Sequence, residues 1–345
     1  MRSKPTGISW LLVGAMLVSL AGAGGAQAGT VSVGARLPMK VAENFVIGCP
    51  ESCAVTNPIA PGGASDVSPV DGVILRWRLD RGRVPTPGFE HPGYRLRVLT
   101  PLASGYLGAG TSSLSVPARA GTVETFSTFL PVKAGQLIAL EAENGDSGIR
   151  FGFSGAASSV FLEPTIADGE TGAENPAWED GYLFPFNADV LPPPQIDRVS
   201  PSGGSFATGT KVTVTGQNFA EVTSVTVGGQ AVEFAVDSET QLSAVMPPRE
   251  QLGSVPVKVV TVAGSVDTAN GFSYEGCVVP KLKEKPLKAV RKVLDRHKCR
   301  LGEVRKRYGA TSKTGRVKRQ HPRRGTVLPL GGKVEVALWL DPAKG

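Results

Sequence analysis

Histidine is nearly missing from this 345-residue chain, which holds three: His91, His297 and His321. His91 falls in a Pro- and Gly-rich loop and the other two in a basic segment, places where histidine is ordinarily solvated or sits at a helix end. The motifs that announce common chemistries are missing as well. There is no Gly-x-Ser-x-Gly elbow, no His-Glu-x-x-His pair and no phosphate-cradling P-loop. So little general acid–base material points away from an enzyme, and no cofactor or metal is expected. Apart from Ile8–Ala21 the chain has no long apolar run, which excludes a further membrane span. Aromatic residues make up only 6% of the sequence, and helical periodicity is confined to the C-terminal stretch.

What is abundant is glycine, with 43 residues, and proline, with 27. Short strand candidates lie between these turn residues, so the chain is expected to be mainly β, built as two or three domains. Arg2, Lys4, the apolar Ile8–Ala21 and the small-x-small Ala26-Gln27-Ala28 together read as an export signal over residues 1–28, with cleavage leaving Gly29 first. No cysteine follows the apolar core, so a lipid anchor is not expected. A secreted or extracellular protein, associated with the cell wall, fits this start.

The net charge of +7 conceals a division. Residues 277–345 carry 20 Lys/Arg against 5 Asp/Glu, whereas residues 29–276 carry 15 against 25. A cationic tip on an acidic body is a statement about partners. The candidate contacts are Lys281, Lys283, Lys285, Arg291, Arg305, Arg307, Arg316, Lys318 and Arg319, with Lys288, Lys292, Lys306, Arg323 and Arg324 beside them. Exposed cations at this density attract polyanions through counterion release. Outside a cell these are anionic wall polymers, peptidoglycan carboxylates and lipid headgroups; nucleic acid is in the wrong compartment. A solvated surface that merely aids solubility is the alternative.

The four cysteines suit an oxidising compartment and fall into two local pairs, Cys49 with Cys53 and Cys277 with Cys299. A metal at Cys49-x-x-x-Cys53 would need further ligands, and none stands nearby. The second pair would tie the entry strand of the basic module to the end of its helix, worth about 3 kcal/mol for a loop of that size.

Residues 29–190 form the first module. Val70–Leu79, Tyr94–Leu99, Glu124–Pro131, Gln136–Glu141, Phe151–Ser154 and Tyr182–Val190 are strand candidates, and the string suggests a jelly-roll-like sandwich. The Cys-rich start, the Gly72-Val73-Ile74-x-x-Trp77 strand and the turn Pro131-Val132-x-Ala134-Gly135-Gln136 resemble the N-terminal β-sandwich of exported multidomain proteins from high-GC actinobacteria. That resemblance implies no activity. Trp77 with its neighbouring arginines is either a sugar-stacking platform or a core tryptophan on a central strand. Glu163, Asp168, Glu170, Glu174, Glu179 and Asp180 crowd one polar stretch; without standard calcium-ligand spacing they read first as a solvated acidic loop, with a calcium site as the alternative.

Leu191-Pro192-Pro193-Pro194 reads as a stiff linker. Beyond it come Val199-Ser200-Pro201-Ser202-Gly203-Gly204, Gly209–Phe219, Val225-Thr226-Val227-Gly228-Gly229, Met246-Pro247-Pro248, Val257–Thr261 and Phe272-Ser273-Tyr274. Val212 and Val214 alternate with threonines, and Gly228-Gly229 is a hairpin signal. In this order, residues 195–275 resemble an IPT/TIG domain. The resemblance implies an immunoglobulin-like β-sandwich used as a spacer or adhesion module.

In residues 277–341, ahead of a short tail over 342–345, a helix is predicted over Pro286–His297. Leu287, Val290 and Leu294 form its apolar stripe, Pro286 suits a first helical position, and Gly302 is the expected terminator. Gly315–Gln320 and Gly332–Leu340 read as strands, which makes a small α+β module. Lys313-Thr314-Gly315 copies a tripeptide of penicillin-recognising serine enzymes, but no Ser-x-x-Lys accompanies it and a turn entering a strand accounts for it. Val279-Pro280, the helix, Gly302-Glu303-Val304, Gly315-Arg316-Val317, Gln320-His321-Pro322, Gly325-Thr326 and Gly331–Val336 together resemble a PASTA domain. The resemblance implies an extracellular module associated with recognition of peptidoglycan or β-lactam-like compounds, or a structural spacer. It stands here as one copy, without a kinase or a transpeptidase.

The function expected from these observations is non-enzymatic binding at the cell envelope. The basic module would contact peptidoglycan or another anionic cell-wall polymer, and the middle module would space it from the first. An adhesin whose first module binds a glycan or protein partner is the alternative. A secreted hydrolase is a third, for which no nucleophile or acid pair can be named.

Overall fold

The computed structural model describes residues 29–39, 45–48, 52–81, 93–119, 121–143, 148–176 and 180–340. The expected signal segment, Cys49, His91 and Glu179 lie outside the described residues. The protein is mainly β, with a single α-helix of three turns among the described residues.

In the first module, Val31–Gly34, Phe186–Leu191, Gly72–Asp80 and Val123–Val132 pair in that order into a four-stranded sheet. It faces a six-stranded sheet of Ser158–Leu162, Cys53–Ile59, Leu137–Ala142, Tyr94–Pro101, Tyr106–Thr111 and Thr171–Gly172. Alternating apolar side chains of both sheets, among them Ile74, Leu96, Ile138, Leu140 and Phe186, fill the space between them. A smaller sheet of Tyr182–Leu183, Gly148–Phe153 and Phe45–Gly48 flanks this sandwich. The turn at Lys133–Gly135 does not close a hairpin. It carries the chain from the strand paired with Gly72–Asp80 to one paired with Tyr94–Pro101, with Gly135 at φ 86°. The strands Val31–Gly34 and Phe186–Leu191, far apart in sequence, pair at one sheet edge. The strand runs through Leu191, which is buried, so the connection to the next module begins only at Pro192.

Trp77 belongs to this core. It is 0% exposed and its ring lies 4.6 Å from that of Phe126. Its arginine neighbours are engaged elsewhere. Arg76 Nε donates to Asp189 at 2.5 Å, and Arg78 donates to both oxygens of Asp189 at 3.0 and 2.5 Å. The sugar-stacking alternative for Trp77 is therefore corrected: a central strand turns the indole inward, and a buried carboxylate occupies both guanidinium groups. Cys53 is buried and disulfide-bonded.

The acidic stretch is dispersed over separate contacts. Asp168 accepts from Arg97 at 3.3 Å and Thr111 at 2.6 Å, Asp180 from the Ser159 N–H at 2.8 Å, and Glu163 from Asn175 at 3.3 Å. Among the described residues no cluster of three or more His, Cys, Asp or Glu side chains could hold a metal ion. A different acid draws attention. Asp66 is buried in the connection between Cys53–Ile59 and Gly72–Asp80, where its Oδ2 accepts from the Asn57 N–H at 2.5 Å and Thr56 Oγ1 at 3.0 Å. Burial pushes its carboxyl up to about 8, against the pull of these two donors.

The middle module is a second sandwich. Gln195–Ser200, Thr210–Gln217, Gln241–Met246 and Phe234–Ser238 make one sheet; Gly203–Ser205, Gly264–Glu275, Gly253–Thr261, Val222–Val227 and Gln230–Ala231 make the other. Val212, Val214, Phe219, Leu242, Val257 and Phe272 are buried between them. Gly228 and Gly229, at φ 57° and 85°, form the predicted tight turn between Val222–Val227 and Gln230–Ala231. Gly216 has no room for a side chain: a Cβ there would stand 1.9 Å from the Gln195 carbonyl oxygen and 2.6 Å from the Phe219 ring.

The connections at both ends are docked. The Pro193 carbonyl accepts from Asn218 Nδ2 at 2.9 Å, and Lys298 pairs with Glu275 across the junction to the last module. No helix among the described residues is long and apolar enough to cross a membrane.

Candidate binding face of the C-terminal module

The last module is organised by the alternation in Lys333–Leu340. Val334, Val336 and Leu338 point inward, where they meet Leu287, Val290 and Leu294 of the helix Leu287–Arg296. The apolar stripe read from the sequence is the buried one. The helix begins one residue later than expected: Pro286 is its extended N-cap, whose carbonyl accepts from the Ala289 and Val290 N–H groups. It ends earlier as well. Lys298 takes the left-handed conformation at φ 56°, and Gly302, the expected terminator, stands inside the strand Arg300–Arg307. The disulfide Cys277–Cys299 explains the early stop. It holds the residue after Lys298 against the entry strand, with Cα atoms 4.8 Å apart.

Arg300–Arg307 pairs in parallel with Lys333–Leu340, whose other edge takes Gly315–His321 antiparallel. The Lys313-Thr314-Gly315 tripeptide is a turn: Thr311 Oγ1 accepts from the N–H groups of Lys313 at 3.2 Å and Thr314 at 3.1 Å, and Gly315 then opens the strand.

Because strand side chains alternate, the inward valines force Glu335, Ala337 and Trp339 onto the opposite face of the sheet. Register then decides their neighbours. Arg305 and Arg319 lie on either side of Ala337, Arg307 is opposite Trp339, and His321 is opposite Glu335. The small Ala337 between two long arginines is the floor of a shallow depression of about 490 Å³. One end is closed by Tyr308 and Trp339, whose rings meet edge to face at 4.9 Å. Lys318 Nζ lies 6.0 Å from the centre of the Trp339 ring. Tyr308 is 73% exposed. Arg305 is engaged by Glu303, through bonds of 3.0 and 2.9 Å. That pairing holds the Glu303 carboxyl below the usual range and raises the Arg305 guanidinium.

The predicted cations do not form one site. Arg305, Arg307 and Arg319 share the outer sheet face. Lys281, Lys283, Lys318 and Arg319, with Arg323 and Arg324, line a second depression of about 300 Å³ along the edge of Gly315–His321. Gln320 holds that edge together, accepting from the Leu282 N–H at 2.8 Å and donating to the Pro280 carbonyl at 2.9 Å. Arg291 is exposed on the helix, on the far side of the sheet. Lys285 and Arg316 are half-buried, and Arg316 donates to the Glu284 carbonyl at 3.0 Å. Sequence reasoning missed Tyr308 and Trp339. The signal for Trp339 was present, since it continues the outward set of a strand whose inward set was already recognised.

Comparison with known proteins agrees with this architecture. The profile of the IPT/TIG domain matches residues 194–274, and that of the PASTA domain matches residues 278–338. No curated protein matches the chain. A solved structure, the Plexin A4 full extracellular region with domains 1 to 8, is similar at 16% identity and a TM-score of 0.24 over 60% of this chain. The match spans 18% of that chain. The chain therefore carries an IPT/TIG domain over residues 194–274 and a PASTA domain over residues 278–338, the latter bearing the basic, aromatic-lined sheet face.

Proposed function

We propose that the protein is a non-enzymatic binding protein of the cell envelope, in which the PASTA domain contacts peptidoglycan or another anionic wall polymer and the IPT/TIG domain holds it away from the first sandwich. The segregation of charge supports this reading most directly. Residues 277–345 hold 20 of the 37 Lys/Arg, and the exposed members are arranged on several faces around a thin core, as suits a long polyanion wrapping the domain. A purely solubilising surface would mix the two signs rather than separate them between modules.

The test uses residues 29–345 and insoluble peptidoglycan in a sedimentation assay. The protein is expected in the pellet at low ionic strength and in the supernatant as salt screens the cations. A double variant with Arg307→Glu and Arg319→Glu should pellet less at every salt concentration. If the parent protein stays wholly in the supernatant at low ionic strength, the reading fails.

A further inference from the structure

Charge alone does not account for the outer sheet face, because two aromatic rings stand where a pure polyanion site needs none. We propose that this face is a subsite for a carboxylate-bearing pyranose, with the sugar ring packed against Tyr308 and Trp339 and its carboxylate received by Arg307 and Arg319. The inference rests on the wall-binding reading and names the unit recognised.

Several observations converge on it. The depression, about 490 Å³, falls among the volumes usual for small-molecule sites, about 300–1,000 Å³. Its floor is Ala337, the only small side chain in the outward row Glu335, Ala337, Trp339, so the space exists because a methyl group sits between Arg305 and Arg319. Arg305 is already held by Glu303, whereas Arg307 and Arg319 have no carboxylate partner among the described residues, which leaves their planar donors for an incoming carboxylate. The aromatic end complements them. Tyr308 gives most of its surface to solvent, and a broad apolar face beside cations suits a ring that is apolar on its C–H side and anionic at one substituent. Glu335, at the opposite end of the depression, is placed to accept from sugar hydroxyls. A polyanion without sugar rings would use the arginines and leave both aromatic side chains idle.

The experiment measures binding of residues 29–345 to two soluble probes by calorimetry: tri-galacturonate, which carries carboxylates on pyranose rings, and a short polyglutamate, which carries them without rings. The parent should prefer tri-galacturonate. Tyr308→Ala should weaken tri-galacturonate by about tenfold, the loss typical of truncating an aromatic anchor, and leave polyglutamate unchanged. Ala337→Leu removes no charge yet fills the floor, and should produce the same selective loss. Arg319→Gln should weaken both probes. Tyr308 and Ala337 lie on the outer face, so unchanged thermal unfolding shows that each variant is folded. Equal affinity of the parent for the two probes overturns the subsite, as does a loss in Tyr308→Ala that is equal for both or absent. Wall sedimentation with equal probe affinities would sink the subsite alone; failure of sedimentation would sink the wider reading.

Discussion

Replacing Asp66 with asparagine should change the pH dependence of stability of the first sandwich more than any surface substitution. The carboxyl is enclosed where Thr56 and Asn57 donate to one of its oxygens, and burial raises it from 3.8 to about 8. A raised native value means that the folded state holds its proton more tightly than the unfolded chain. The associated stability is complete below pH 3.8 and is lost as the pH rises toward about 8. One unit of pH across that window is worth about 1.4 kcal/mol, so between pH 4 and 7 the loss from this group is on the order of 4 kcal/mol. Asparagine keeps an acceptor for both donors and cannot ionise. In urea unfolding at pH 4, 5.5, 7 and 8, the stability of Asp66→Asn relative to the parent should climb by a few kcal/mol from the lowest pH to the highest. All other carboxylates are common to both proteins and cancel in that difference. A difference that stays level from pH 4 to 8 would refute the argument.

Other perturbations test other parts of the molecule. Gly216→Ala places a methyl 1.9 Å from a backbone carbonyl and should destabilise the IPT/TIG sandwich by about 3 kcal/mol or more, read as a lowered urea midpoint. Removing the Cys277–Cys299 bridge by a double serine substitution should cost the PASTA domain about 3 kcal/mol, measured against the parent under the same conditions. Asp189→Ala leaves Arg76 and Arg78 facing each other without their carboxylate, which should cost about 3–5 kcal/mol in thermal or chemical unfolding. Trp77→Ala should destabilise the first sandwich by about 3–5 kcal/mol, while wall sedimentation of the remaining folded protein stays unchanged.

How far the sequence could be read depended on whether a residue's neighbours were local. The stripe Leu287, Val290, Leu294 and the alternation Val334, Val336, Leu338 are short-range patterns, and both are buried as read. The turn at Gly228-Gly229 belongs to the same class. The strand Arg300–Arg307 was hidden because Arg-Leu-Gly-Glu-Val-Arg-Lys-Arg shows little apolar alternation; it is a strand through pairing with Lys333–Leu340, a partner distant in sequence. The helix terminus was misplaced for a related reason. The cross-link to Cys277 draws Lys298 into a left-handed turn that propensity would have given to Gly302. The ambiguity at Trp77 was settled by Asp189, more than a hundred residues away, which claims both neighbouring arginines. The depression itself depends on which side chains flank Ala337 across two strands, and nothing local in the sequence encodes that register.

The position of the Cys277–Cys299 bridge has a mechanical consequence. The last IPT/TIG strand ends at Glu275, and the bridge leads from Cys277 directly to the start of the sheet at Arg300. A pull applied to the sheet face while the rest of the chain is restrained would travel through the sulfur atoms and skip the intervening segment. The helix would then carry no tension, and the slack stored in those residues could not be paid out. Under load the joint would behave as a short cable, and reducing agents would make it longer.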